Sequence, residues 1–312
     1  MTTRRRAQML LAAGLVAVLV CVGGAGAGAR GPAGPRIGGC PFFPASNAWN
    51  RDVSNDPVDP RSDAYIASIN AGGNRFLHAD FGGNGQYGIP FRVVPRTQKR
   101  VPIHFDAYGD ESDRGPYPIP LNAPVEGGSD RHVLVAQRGT CKLFELYAAH
   151  RSGNGWVAGS GAVFNLRSNR LRHEGWTSAD AAGLPILAGL ARYDEVHRGA
   201  IRHALRFTVQ DSQRGYIHPA THLASSDSNP NLPPMGLRVR LKASYPIGGF
   251  HGQAKVILVA LKRYGMIVAD NGSPWFITGG SDRRWSDDDL NQLKRVPGAA
   301  FEAVRSGPIH HG

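Results

Sequence analysis

Apolar residues recur mostly in short runs of four to eight, and only a few stretches of this 312-residue chain keep a helical stripe. The clearest is Gln253 to Tyr264, where Ile257, Ala260, Leu261 and Tyr264 follow the i, i+3, i+4, i+7 pattern. Gly265 stands just beyond it, where a helix end favours glycine. Ala64 to Asn70 predicts a shorter helix through Tyr65, Ile66 and Ile69. Ser178 to Leu190 predicts another, interrupted by Pro185. A last helix is expected to start at Ser286, with Asp289 three residues on as an acidic variant of a capping box. Arg131 to Gln137 and Lys142 to Ala149 are two apolar-rich runs around Arg138-Gly139-Thr140, which predicts a hairpin. Phe91 to Val94, Val101 to Phe105, Trp156 to Leu166, Ala200 to Val209, Leu237 to Ala243 and Met266 to Ala269 read as further strands.

Between Cys40 and about Gly128 the chain is rich in Pro, Gly, Asn and Asp, residues that favour turns. Trp49, Phe76, Phe81, Tyr87, Phe91 and Phe105 in the same stretch need burial, so it reads as ordered loop. No period of 20–50 residues marks a solenoid or propeller. The expectation is a mainly β fold, an antiparallel β-sandwich of jelly-roll type with two or three short helices. Residues 40–312 form its single domain, with a boundary near residue 128 between two lobes as the alternative.

The N-terminus changes the picture of where such a domain works. Arg4 to Arg6, the apolar run Met9 to Val22 and the small residues up to Ala29 have the order of a secretory signal over residues 1–29. Residues 30–39 read as a flexible lead-in, and no segment is long and apolar enough for a membrane anchor. Without the signal two cysteines remain, Cys40 and Cys141, an even count that predicts a disulfide in a secreted or periplasmic chain. The net charge is +12; loss of residues 1–29 lowers the basic count from 36 to 33 against an unchanged 24 acids, a net +9. That excess suits a polysaccharide or an anionic envelope polymer as partner. Interleaved basic and aromatic motifs for nucleic acid are absent.

No G-x-S-x-G elbow, Walker loop or HExxH helix is present, and Pro219 argues against His218 and His222 as a helical ligand pair. No metal or cofactor is expected. Asp130-Arg131-His132 forms one group with Glu145 and Tyr147. Glu145 sits in a strand apolar on both faces, so it needs a partner such as Arg131 or Arg206, or a raised pKa that suits acid–base work. His203 stands in an apolar row from Ile201 to Val209. Asp270 follows a predicted buried strand and so belongs at a sheet rim, where either a catalytic acid or an ordinary turn aspartate fits. Leu237 to Ala243 alternates with Arg238, Arg240 and Lys242, which predicts three cations about 6.6–6.8 Å apart on one strand face. They suit a groove floor for an acidic sugar chain, or a solvated sheet face.

From these patterns the expected function is a carbohydrate-active enzyme on an acidic or envelope glycan. A glycoside hydrolase would use Glu145 with Glu195 or Asp270; a polysaccharide lyase would use His203 and Tyr147, with Arg238 and Arg240 neutralising a uronate. Trp156 and Trp275 would stack on sugar faces. A non-catalytic glycan- or envelope-binding protein, or a structural one, is the alternative.

Overall fold

The computed structural model describes residues 34–83 and 87–312; the predicted signal at 1–29 and the first residues of the lead-in lie outside them. Two short strands open the described chain, β1 (Arg36–Ile37) and β2 (Cys40–Pro41), followed by helix α1 (Ser62–Ala71). Next come β3 (Phe91–Val94), β4 (Ile103–Phe105), β5 (Val133–Gln137), β6 (Lys142–Tyr147) and β7 (His150–Ser152). Strands β8 (Gly155–Ala158) and β9 (Ser160–Asn165) lead into helices α2 (Ile186–Gly189) and α3 (Tyr193–His197). The C-terminal third holds β10 (Leu205–Val209), β11 (Arg238–Leu241), α4 (Gly252–Arg263), β12 (Met266–Asn271) and β13 (Phe276–Ile277). It ends with α5 (Asp287–Asn291) and β14 (Phe301–Ala303).

Sheet dominates, as expected, and the sheets are several and open rather than one closed barrel. One has five strands in the order β13-β10-β12-β11-β14, one has four in the order β3-β5-β6-β9, and one has three in the order β4-β8-β7. Most neighbours are antiparallel, but β10 pairs with β12, β3 with β5 and β4 with β8 in parallel. A jelly roll is built from antiparallel strands, so these orders do not carry that finer expectation. Residues 34–312 cluster as one unit.

Strand β6 shows how the core is divided. Leu143 and Glu145 face a large core that also receives Leu205, Phe207, Val239 and Val268 from the five-stranded sheet. Phe144 and Leu146 face a smaller core with Tyr117, Ile119, Trp156 and Ala158. The four-stranded sheet is therefore covered on both sides, which explains its near-continuous apolar runs. Helix α4 buries Ala254, Ile257, Leu258 and Leu261 and contacts β11. It ends at Gly265, whose φ is +66° and where a Cβ would lie 2.3 Å from the Val239 carbonyl oxygen; only glycine fits.

Cys40 and Cys141 are joined by a disulfide across 101 residues of chain. The bond fixes β2, and with it the β1–β2 hairpin, to the entrance of β6. Within the predicted lead-in, Arg36 and Ile37 pair with Pro41 and Cys40, and Ile37 enters the core.

Candidate functional site

The ends of strands from two sheets meet around a cavity of about 390 Å³. His132 lies just before β5, Tyr147 ends β6, Ser160 opens β9, and Asp270 and Asn271 end β12. Thr177 to Ala181 form one wall, and Tyr108, Asp130, His222 and Ala224 complete the rim. The wall segment is held by Gly183, with φ +74°, where a Cβ would sit 2.7 Å from the Trp176 carbonyl oxygen.

Beneath the cavity the charges are tightly ordered. Asp180 is buried, takes a hydrogen bond from Arg206 Nε at 3.0 Å on Oδ2, and has Arg206 Nη2 at 2.9 Å from the same oxygen as an ion pair. Arg206 gives its remaining reach to Thr278 Oγ1 at 2.9 Å. His132 has both ring nitrogens against acceptors: Nδ1 on the Glu126 carboxylate and Nε2 on the Ala179 carbonyl at 3.0 Å. Burial works against its charge, but Glu126 outweighs burial and raises the His132 pKa, so the imidazolium is favoured. In its charged form such a histidine has both ring nitrogens donating and no lone pair to offer.

Asp270 is a half-buried carboxyl on the cavity wall. Burial, reinforced by the negative charge of Asp180, pushes it up to about 6 even though Arg206 pulls the other way. One of its oxygens accepts the Asn271 amide at 2.8 Å. Burial also raises the Tyr147 phenol, with Asp130, Tyr108 and Asp270 adding to the effect. His222 gives a hydrogen bond from Nδ1 to the Ala181 carbonyl at 2.8 Å. Its Nε2 lies 3.9 Å from Glu111, too far for a hydrogen bond, which leaves that lone pair available.

Of the residues singled out in the sequence, this cavity collects Asp270, Tyr147 and their neighbours Asp130 and His132. Glu145 lies behind it, sealed in the core. Its carboxylate accepts the amides of Ile186 and Leu187, both at 2.9 Å, at the start of α2. Burial pushes it up to about 7 against those two bonds. Neither Arg131 nor Arg206 pairs with it: Arg131 Nε binds the Ala149 carbonyl and Arg206 serves Asp180.

Glu195 and His203 form a separate buried group. Glu195 bonds His203 Nε2 at 3.0 Å and pairs with Arg192 at 2.6 Å, while His203 Nδ1 contacts the Ala204 carbonyl. Burial would raise Glu195, but Arg192 and His203 overcome it and hold the carboxyl at about 2. His203 precedes β10 rather than lying in it, and neither it nor Glu195 lines the cavity at the end of β12.

The cationic strand is placed differently from its sequence expectation. Every residue of β11 is buried, because the loop from Ala48 to Val53 covers its second face. Arg238 gives hydrogen bonds to the Ala48 and Arg51 carbonyls; Arg240 reaches the Val53 carbonyl and pairs with Glu302 at 2.8 Å. Lys242 binds the Ala299 carbonyl at 2.9 Å. Trp275 lies in the core between Phe207 and Phe301, its indole bound to Asn70, and Trp156 lies in the smaller core. None of these five side chains reaches the cavity.

Asp180 is the site residue without a sequence signal, and His222 was visible only as half of an improbable ligand pair. Asp180 lies in an Ala-rich loop, and the reach of His222 toward Ala181 depends on the fold alone. Comparison of the chain with protein-family models, curated proteins and solved structures yields no match.

Proposed function

We propose that this protein is an exported enzyme that cleaves glycosidic bonds by acid–base chemistry in the cavity at the end of β12. The observation that carries the reading is Asp270: a half-buried carboxyl, open to a ligand-sized cavity and raised to about 6 beside a second, arginine-bound aspartate. A carboxyl tuned in this way is protonated for part of the time near neutral pH and suits the general acid that protonates a leaving oxygen. His222 Nε2 is the group placed to take a proton from water, since the bond to Ala181 fixes the proton on Nδ1. Tyr147 contributes a hydroxyl to orient the sugar.

Charge narrows the substrate. Asp130, Asp180 and Asp270 line the cavity, Arg206 lies beneath it already committed to Asp180, and the charge of His132 is answered by Glu126. A uronate or sulfate in that space would meet carboxylates, so the bond cleaved belongs to a neutral or amine-bearing sugar. The Cys40–Cys141 disulfide supports work outside the cytoplasm, because oxidising compartments preserve such bonds. No described helix is long and apolar enough to cross a membrane.

The test is release of reducing ends from a panel of neutral, amino-sugar and uronate-bearing polysaccharides. Wild-type protein is expected to cleave at least one of them. Asp270→Asn should lower that rate by about 10²–10⁴-fold with little change in melting temperature. Full activity in a folded Asp270→Asn protein, or no release by wild type from any of the panel, would contradict the reading.

A further inference from the structure

A second cavity, of about 400 Å³, has the opposite character. Its wall carries Lys142 at the start of β6, Arg170, His173 and the rings of Phe164 and Trp176. Arg172 forms its floor, placed 5.7 Å from both ring centroids. All three guanidinium nitrogens of Arg172 are engaged: Nη1 with Asp113 at 2.5 Å, Nε with the Thr177 carbonyl and Nη2 with the Glu111 carbonyl. Asp113, the one carboxylate on this wall, is therefore answered by Arg172. Lys142 and Arg170 are exposed and make no ion pair or side-chain hydrogen bond among the described residues. Two uncommitted cations thus flank a half-buried indole, which His173 approaches to 4.8 Å.

We infer that this cavity binds a sugar ring bearing a carboxylate. Cations alone would bind any small anion. An aromatic face adds an apolar surface for the ring, and a guanidinium fork matches a planar carboxylate. The turn that supplies Arg172, His173 and Trp176 runs directly into Thr177 to Ala181, the wall of the acidic cavity. The two spaces are therefore neighbours along one stretch of chain. This deepens the glycan reading, on which it rests for what binds next door: the cleaved sugar is neutral or amine-bearing, and the unit beside it is a uronate. It also gives the basic surplus of the chain a site, which the buried Arg238 and Arg240 do not.

Titration of the wild-type protein with an oligouronate, read by tryptophan fluorescence, tests the site without requiring turnover. A saturable change is expected with the oligouronate. A neutral oligosaccharide of equal length and inorganic sulfate at matched ionic strength should each bind at least tenfold more weakly. Lys142→Ser with Arg170→Ser, both at exposed positions, should weaken oligouronate binding at least tenfold while the melting curve stays in place. Equal affinity for sulfate and oligouronate, or binding untouched by the double variant, would overturn the inference. Oligouronate binding that depends on Lys142 and Arg170 in a protein without cleavage activity would uphold this site and remove the enzymatic reading. Cleavage of a glycan without oligouronate binding would do the reverse.

Discussion

Asp270 and Glu145 are both carboxyls raised by burial, yet their surroundings give them different work. Asp270 opens onto a cavity, whereas both oxygens of Glu145 are taken by the Ile186 and Leu187 amides. Glu145 is thus an acceptor for the two leading amides of α2, groups that would otherwise be buried without partners. Glu145→Gln keeps one oxygen to accept but turns an NH2 group toward the other amide. We expect it to destabilise the protein by about 1–3 kcal/mol, the cost of a buried donor left unsatisfied, and to leave cleavage by the folded protein unchanged. Urea denaturation and an activity assay on one purified variant check both halves. A normal urea midpoint together with lost activity would assign Glu145 to the chemistry instead.

At the scale of elements, which stretches form strands was largely legible, and which sheet each joins or what covers it was not. Helix α4 and its terminal Gly265, the α5 cap in which Ser286 Oγ accepts the Asp289 amide, and the β5–β6 hairpin fall where periodicity and turn residues put them. Trp156 to Leu166 reads as one strand but breaks at Gly159 into β8 and β9, which join different sheets. No local pattern reports which sheet a strand will join. Strand β11 misleads for a related reason: alternating arginines look solvated, but a loop rich in free carbonyls closes over them. The candidate site was half legible. Asp270 follows from a buried strand ending in a turn; His222 and Asp180 reach the cavity only through contacts distant in sequence. The disulfide belongs to this scale too, because it ties an edge hairpin to a central strand. Its closed loop of 101 residues limits the stabilisation to about 4–5 kcal/mol by the chain-entropy argument. Reduction, or Cys40→Ser with Cys141→Ser, should lower the urea midpoint accordingly. Thiol titration of the denatured, unreduced mature chain should count no free thiol, and two would contradict the bond.

Across the whole molecule, charge is sorted rather than spread. Carboxylates gather at the ends of β12 and in the loops beside it, whereas uncommitted cations gather around Trp176, one turn of chain away. Buried ion pairs, Asp180 with Arg206 and Glu195 with Arg192 and His203, hold the segments between these places. On the proposed reading, a glycan of alternating character that bridges both cavities would do so in one direction only.

The proposed role of Asp270 as general acid makes the pH dependence of kcat/KM the decisive measurement. A group that must be protonated to act loses activity as pH rises through its pKa. Burial and Asp180 place that pKa at about 6 in the free enzyme. kcat/KM is expected to fall tenfold per pH unit above about pH 6, and this limb to disappear from the residual activity of Asp270→Asn. A rate that is flat between pH 5 and 8, or a limb that survives in Asp270→Asn, would contradict it.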